Sequence, residues 1–267
     1  MTRTTMGPVI DRAKDNGGAA LIGFLTAGYP SLRGSIDAAK AAIAGGMDAI
    51  ELGLPYSDPG MDGPVIQRAG QLALARGFRT SQILQAVEEL AETGAGIMSM
   101  TYWNPILQYG VDAFARDFAN AGGAGLITPD LLPDDADDWI AASDEHGLDR
   151  IFLVAPSSRP DRLALTSSAS RGFVYAASTM GVTGARGEVD VRAKELVERT
   201  RQAGAERVCV GLGVSSAEQA SDIASYADGV IVGSALIRSL GDDGTNLGGA
   251  EAFAADLARG AHHPEVR

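Results

Sequence analysis

The chain has 267 residues, 45% of them hydrophobic and 21% charged, a balance that suits one large globular domain and excludes a disordered or membrane-embedded chain. A formal net charge of −12 excludes a nucleic-acid backbone binder, which needs clustered Lys and Arg, and the acidity reads as a solubility feature. The single cysteine, Cys209, stands in an apolar run beside Val208 and Val210, so no intrachain disulfide can form and the thiol is expected to be a small buried hydrophobe.

The opening residues lack the apolar core of a signal peptide, no later run approaches a membrane span, and the cytoplasm is the expected location. A first helix is expected near 9–14, ahead of a strand over 20–25. The next helix is expected from Ser35 to Ile43, stopped by Gly45-Gly46, and is followed by a strand over 49–53. Two further helical segments, 65–75 and 81–92, precede strands over 97–102 and 125–128. Pro133-Asp134-Asp135 open a helix toward Trp139, and strands follow over 150–154, 172–176, 207–211 and 229–232. Ser215-Ser216-Ala217-Glu218-Gln219 fits a capping box for the helix after the seventh strand.

Strands that alternate with helices pair in parallel, and their near-continuous apolar character fits sheets covered on both faces. An open doubly wound sheet competes with closure, but eight regular units over this length favour an α/β (β/α)8 TIM barrel with extra helices before strand 1 and after strand 2. Residues 1–260 are assigned to one catalytic barrel domain and 261–267 to a flexible C-terminal tail, in which His262-His263 is incidental and not a metal site.

Barrel enzymes work at the C-terminal ends of their strands, so polar groups there are the ones to question. Glu51 places a carboxylate inside an apolar strand, where it is either a raised-pKa acid/base or part of a buried ion pair or hydrogen-bonded layer inside the barrel. Asp62, just before Gly63-Pro64, is by spacing either a second carboxylate over the barrel mouth or a helix cap. Gly211 to Ser216 after the seventh strand and Gly233-Ser234-Ala235 after the eighth suit an anion held by backbone N–H groups, or two tight capped turns. The Gly-rich run 177–187 is either a lid or a surface loop. Lys14, Lys40 and Lys194 all fall on predicted helices, leaving no strand-end lysine for a Schiff base, and no histidine cluster or other metal site is expected. A carbon–carbon cleavage here must use its substrate as the electron sink.

Over nearly its whole length the chain resembles the tryptophan synthase α subunit family. The resemblance rests on Glu51-Leu52-Gly53-Leu54-Pro55-Tyr56-Ser57-Asp58-Pro59-Gly60-Met61-Asp62-Gly63-Pro64, and on Ser178 to Gly184, Gly211 to Ser215 and Gly233 to Ala235 in the same order. It implies retro-aldol cleavage of indole-3-glycerol phosphate to indole and D-glyceraldehyde 3-phosphate, with Glu51 as acid/base and Asp62 holding the indole N–H. It further implies an indole slot of Phe24, Met100 and Ile127, Tyr175 beside Glu51, Thr183 on a closing lid, and phosphate at Gly184, Gly213, Gly233 and Ser234. No cofactor is expected in this chain; a pyridoxal-phosphate β subunit is the implied partner, in an α2β2 heterotetramer, docked through Pro55, Asp58 and Asn104. Tyr29, Gly60-Met61 and Thr179-Met180 depart from the commonest family pattern without removing a catalytic group. Two rivals stand beside this reading: another phosphate-binding barrel enzyme, and a subunit that only activates a partner.

Overall fold

In the computed structural model, residues 3–177, 186–211 and 213–264 are described. The chain begins with α1 (Met6–Asp15), β1 (Ala20–Thr26), α2 (Leu32–Ala44), β2 (Ala49–Gly53), α3 (Pro64–Ala75), α4 (Gln82–Ala91) and β3 (Gly96–Met100). It continues with α5 (Trp103–Tyr109), α6 (Val111–Asn120), β4 (Gly125–Ile127), α7 (Asp137–Glu145), β5 (Asp149–Ile151), β6 (Leu153–Val154), α8 (Pro160–Ala169) and β7 (Val174–Ala177). The last elements are α9 (Arg186–Gln202), β8 (Val208–Gly211), α10 (Ala217–Ala224), β9 (Gly229–Val232), α11 (Ser234–Ser239) and α12 (Leu247–His262).

All strand pairs are parallel, in the order β5-β4-β3-β2-β1-β9-β8-β7-β6. The two outermost segments, β5 and β6, are separated in the chain only by Phe152, so the sheet closes on itself and the open-sheet alternative fails. The expected strand 150–154 is therefore two short segments broken at Phe152, whose carbonyl still accepts a bond from Tyr175 N (3.1 Å). The expected strand 172–176 starts later, at Val174, because Arg171 pairs with Arg150 in an antiparallel bridge and Gly172 turns at φ +95°.

Helix starts follow their caps. α2 begins at Leu32, not Ser35, because Ser31 Oγ accepts from Gly34 N (3.0 Å). Ser35 is buried inside the helix and accepts from Gly28 N (3.0 Å). At α10 Ser216 is the N-cap, its Oγ accepting from Gln219 N (3.4 Å), while Gln219 Oε1 reaches one residue past the cap and accepts from Ser215 N (2.6 Å), a shifted form of the expected box. Pro133–Asp135 is a separate 3-10 turn, after which α7 starts at Asp137.

Apolar residues sort into an inner cluster, with Ile22, Met98, Ile127, Ile151 and Phe173 filling the barrel, and an outer one between sheet and helices. α1 belongs to the inner cluster through Met6, Val9 and Ile10, and so plugs the end of the barrel where the strands begin. Asp149 accepts its first N–H (Met6, 2.7 Å), and Arg207 grips Asp11 (2.6 Å). Among the described residues no helix is long and apolar enough to cross a membrane.

The tail expected from residue 261 is corrected, because α12 runs to His262. Ala261 is fully buried and its carbonyl accepts from Ala19 N (2.8 Å). His262 is not incidental: its Nε2 lies 2.8 Å from Asp48 Oδ2, which also accepts from Leu21 N. The hydrogen bond to Asp48 raises the His262 pKa above 6.5 against the opposing effect of burial. A raised histidine pKa stabilises the fold fully below the unfolded value, and the gain is lost as pH rises through the folded one. His262→Gln is expected to cost about 1 kcal/mol at pH 6, roughly 2–4 °C in melting temperature, and less at pH 9, as read by calorimetry at both pH values.

Candidate active site

β2 carries Glu51 into the barrel, opposite Phe24 of β1 and Met98 of β3 in the pairing register. Its side chain is fully buried and neither carboxylate oxygen has a hydrogen-bond partner among the described residues. Neither the buried ion pair nor the hydrogen-bonded layer left open by the sequence is therefore built among the described residues. Desolvation pushes the carboxyl up from 4.5 to about 8, so at neutral pH it holds its proton. Tyr175, on β7, is itself pushed upward, first by burial and then by the Glu51 charge.

Asp62 ends the loop after β2. The N-cap of α3 is Gly63, without a side-chain cap bond, so the capping alternative fails as well. Asp62 Oδ1 instead accepts from the Tyr102 hydroxyl (3.1 Å), and the Asp62 carbonyl accepts from Gln67 Nε2 (2.9 Å). Burial raises the Asp62 carboxyl and the Tyr102 hydrogen bond pulls it back down.

Both carboxylates border a cavity of about 250 Å³. Phe24, Met100 and Tyr175 form part of its wall, and Gly211, Gly213, Gly233 and Ser234 close the far side. Gly211 admits no side chain, since a Cβ there would collide with the Tyr175 hydroxyl. Gly213 sits at φ +66°, which favours glycine. Ile127 is fully buried in the inner cluster and is not among the cavity's described lining residues. Thr183 and Gly184, like most of the Gly-rich run after β7, lie outside the described residues.

The lining also includes Met61 of the loop after β2, and Ile66, Leu153 and Ile231, which sequence reasoning missed because apolar side chains among apolar neighbours carry no signal of direction. Tyr102 was missed too, although a polar group at the C-terminal end of a predicted strand was the signal that could have found it. A neighbouring cleft runs outward past Pro55, Tyr56 and Pro59. Asp58, accepting from Ser57 Oγ (2.6 Å), and Asn104 on α5 are exposed and do not line the cleft.

A fully buried neutral carboxyl, a second carboxylate, an apolar slot and a glycine-lined end define a (β/α)8-barrel enzyme for a small substrate with apolar and anionic ends. Comparison with known proteins then gives the family. The chain belongs to the tryptophan synthase alpha chain family, whose model matches residues 10–261. It is 59% identical over 255 residues to the tryptophan synthase alpha chain of Mycobacterium avium, covering 96% of this chain and 93% of that one. A structure of Mycobacterium tuberculosis tryptophan synthase superposes with a TM-score of 0.91 at 56% identity, covering 98% of this chain and 99% of that one. The tryptophan synthase subunit alpha of Legionella pneumophila, at 30% identity, still gives 0.86 over 96% and 97% of the two chains. The chain is accordingly a carbon–carbon lyase of tryptophan biosynthesis, cleaving indole-3-glycerol phosphate to indole and D-glyceraldehyde 3-phosphate.

Proposed function

We propose that Glu51 and Asp62 carry this cleavage between them. Glu51, neutral at physiological pH, donates its proton to indole C3, and Asp62 accepts the indole N–H and stabilises the positive charge that spreads over the ring. The resulting Glu51 carboxylate then takes the proton of the adjacent glycerol hydroxyl. The C–C bond breaks as that oxygen becomes the aldehyde of glyceraldehyde 3-phosphate, and the bond pair returns the ring to indole. One proton enters and one leaves Glu51, so the residue is restored in each turnover. The protonated ring is the electron sink, which lets the site work without a strand-end lysine. The observation that carries this reading is the fully buried, unpartnered Glu51 carboxyl on the wall that Asp62 shares.

In the same reading the ring lies against Phe24 and Met100, with Ile127 supporting that wall from the barrel interior. Tyr175 orients the reacting end, and the backbone amides at Gly213, Gly233 and Ser234 hold the phosphate. Thr183 and Gly184 complete the site from the run after β7. Pro55, Asp58 and Asn104 dock a β subunit in an α2β2 assembly, and indole passes directly to that partner, which carries pyridoxal phosphate. No cofactor is assigned to this chain. The compartment proposed is the cytoplasm, and the catalytic unit is one barrel domain that includes the whole of α12.

The test is indole release from indole-3-glycerol phosphate by the purified chain, alone and with its β subunit. Release that rises with the partner supports the reading. A chain that binds the phosphate ester without forming indole would return the site to another phosphate-binding barrel activity.

A further inference from the structure

Tyr102 stands between β3 and α5, and its hydroxyl touches two consecutive residues of the loop after β2. The oxygen accepts the Met61 backbone N–H (2.8 Å), so its own proton is directed at Asp62 Oδ1 (3.1 Å). A phenol oxygen that already receives one donor can give its single hydrogen only to the other partner. The ring is held on both sides of its backbone: Thr101 Oγ1 donates to the Tyr102 carbonyl (2.9 Å), and Trp103 N donates to Asp130 (2.9 Å). The ring itself is buried and stacks on Tyr56 with centroids 5.3 Å apart.

We propose that Tyr102 is a positioning residue for the cleavage, pinning Oδ1 of Asp62 and the loop backbone at Met61 so that Oδ2 is the oxygen presented to the indole N–H. This rests on the reading of Asp62 as the acceptor of that N–H. The hydrogen bond also lowers the Asp62 pKa against the larger upward push of burial. The titratable groups near the pair are Glu51 and Tyr175 across the cavity, Asp130 beyond β4, and Tyr56 on the loop; no lysine or arginine is among the described residues lining the cavity or the adjoining cleft. The phenol is thus a donor that partly offsets the burial of Asp62, and donation to a carboxylate favours its ionised form.

The test is Tyr102→Phe, which keeps the ring, assayed with the β subunit from pH 5 to 9 beside Asp62→Asn and the double variant. With an unchanged melting temperature, Tyr102→Phe should lower kcat/KM at pH 7 by about tenfold and move the acidic limb of its pH profile to higher pH. In the Asp62→Asn background the same substitution should cost less than about twofold, the mark of a residue acting through Asp62. A purely packing role would lower the rate with the acidic limb unmoved and with equal losses in both backgrounds, and that result overturns the proposal. If Tyr102→Phe alone fails to fold, the cycle is run with Tyr102→Trp by the same two criteria. Asp62→Asn cleaving at the wild-type rate would remove the reading of Asp62 itself, and the proposal with it. An inactive Asp62→Asn beside a Tyr102→Phe indistinguishable from wild type would overturn the proposal alone.

Discussion

Glu51→Gln is expected to lower the rate of indole formation by about 10²–10⁴-fold, because the amide keeps the shape of the side chain but can neither deliver a proton to C3 nor take one from the hydroxyl. Stimulation of the β subunit should survive, since Glu51 is fully buried in the barrel and cannot form part of a docking surface. The variant should also be more stable than wild type near pH 8. Glu51 titrates near 8 in the folded chain and at 4.5 without burial, so between those values the folded state holds a proton that the unfolded state has released. The stability of the wild type therefore falls as pH rises from 4.5 to 8, while Gln at this position has nothing to titrate. Indole assays together with melting curves at pH 5 and 8 check both halves. A variant that loses activity and stability alike at pH 8 would mean that Glu51 serves the fold, not the chemistry.

The largest stability effect is expected at Asp228, the residue that leads into β9. Its side chain is nearly fully buried and gathers Lys14 Nζ of α1 (2.8 Å), Arg201 of α9 (3.0 Å) and the Val208 N–H of β8 (2.8 Å). Burial pushes its pKa up, but Lys14, the Val208 N–H and Arg201 together outweigh it and hold the carboxyl below 3.8. Both cations are partly exposed, so solvent screens their share, and the buried backbone donor left without its acceptor weighs most. Asp228→Ala should cost about 2–3 kcal/mol at pH 7, roughly 4–12 °C in melting temperature. A depressed carboxyl pKa gives stability above the unfolded value that is lost as pH falls through the folded one, so the gap between wild type and variant should close below about pH 4. Denaturant melts at pH 7 and pH 3 measure it; an equal gap at both would assign the loss to packing.

Much of this protein was legible in the chain. Strand and helix alternation fixed parallel pairing, because each apolar run must be covered on both faces, and eight regular units favoured closure over an open sheet. Glu51 stood out for a physical reason, a charge written into a strand with no room for water. Boundaries were less legible where a neighbour set them: α2 starts at Ser31's cap and not at Ser35, strand five breaks at Phe152, and α12 carries His262 onto Asp48.

By itself the sequence determined the parallel α/β architecture, the carboxylate inside strand 2 and, through its motifs, the family, because these depend on local pattern and residue type. Only the tertiary structure decided between the alternatives at each site residue. Whether Glu51 meets a cation, whether Asp62 caps a helix or faces a cavity, and whether Tyr102 reaches the loop are questions of distance between strands far apart in the chain, and local pattern does not encode them.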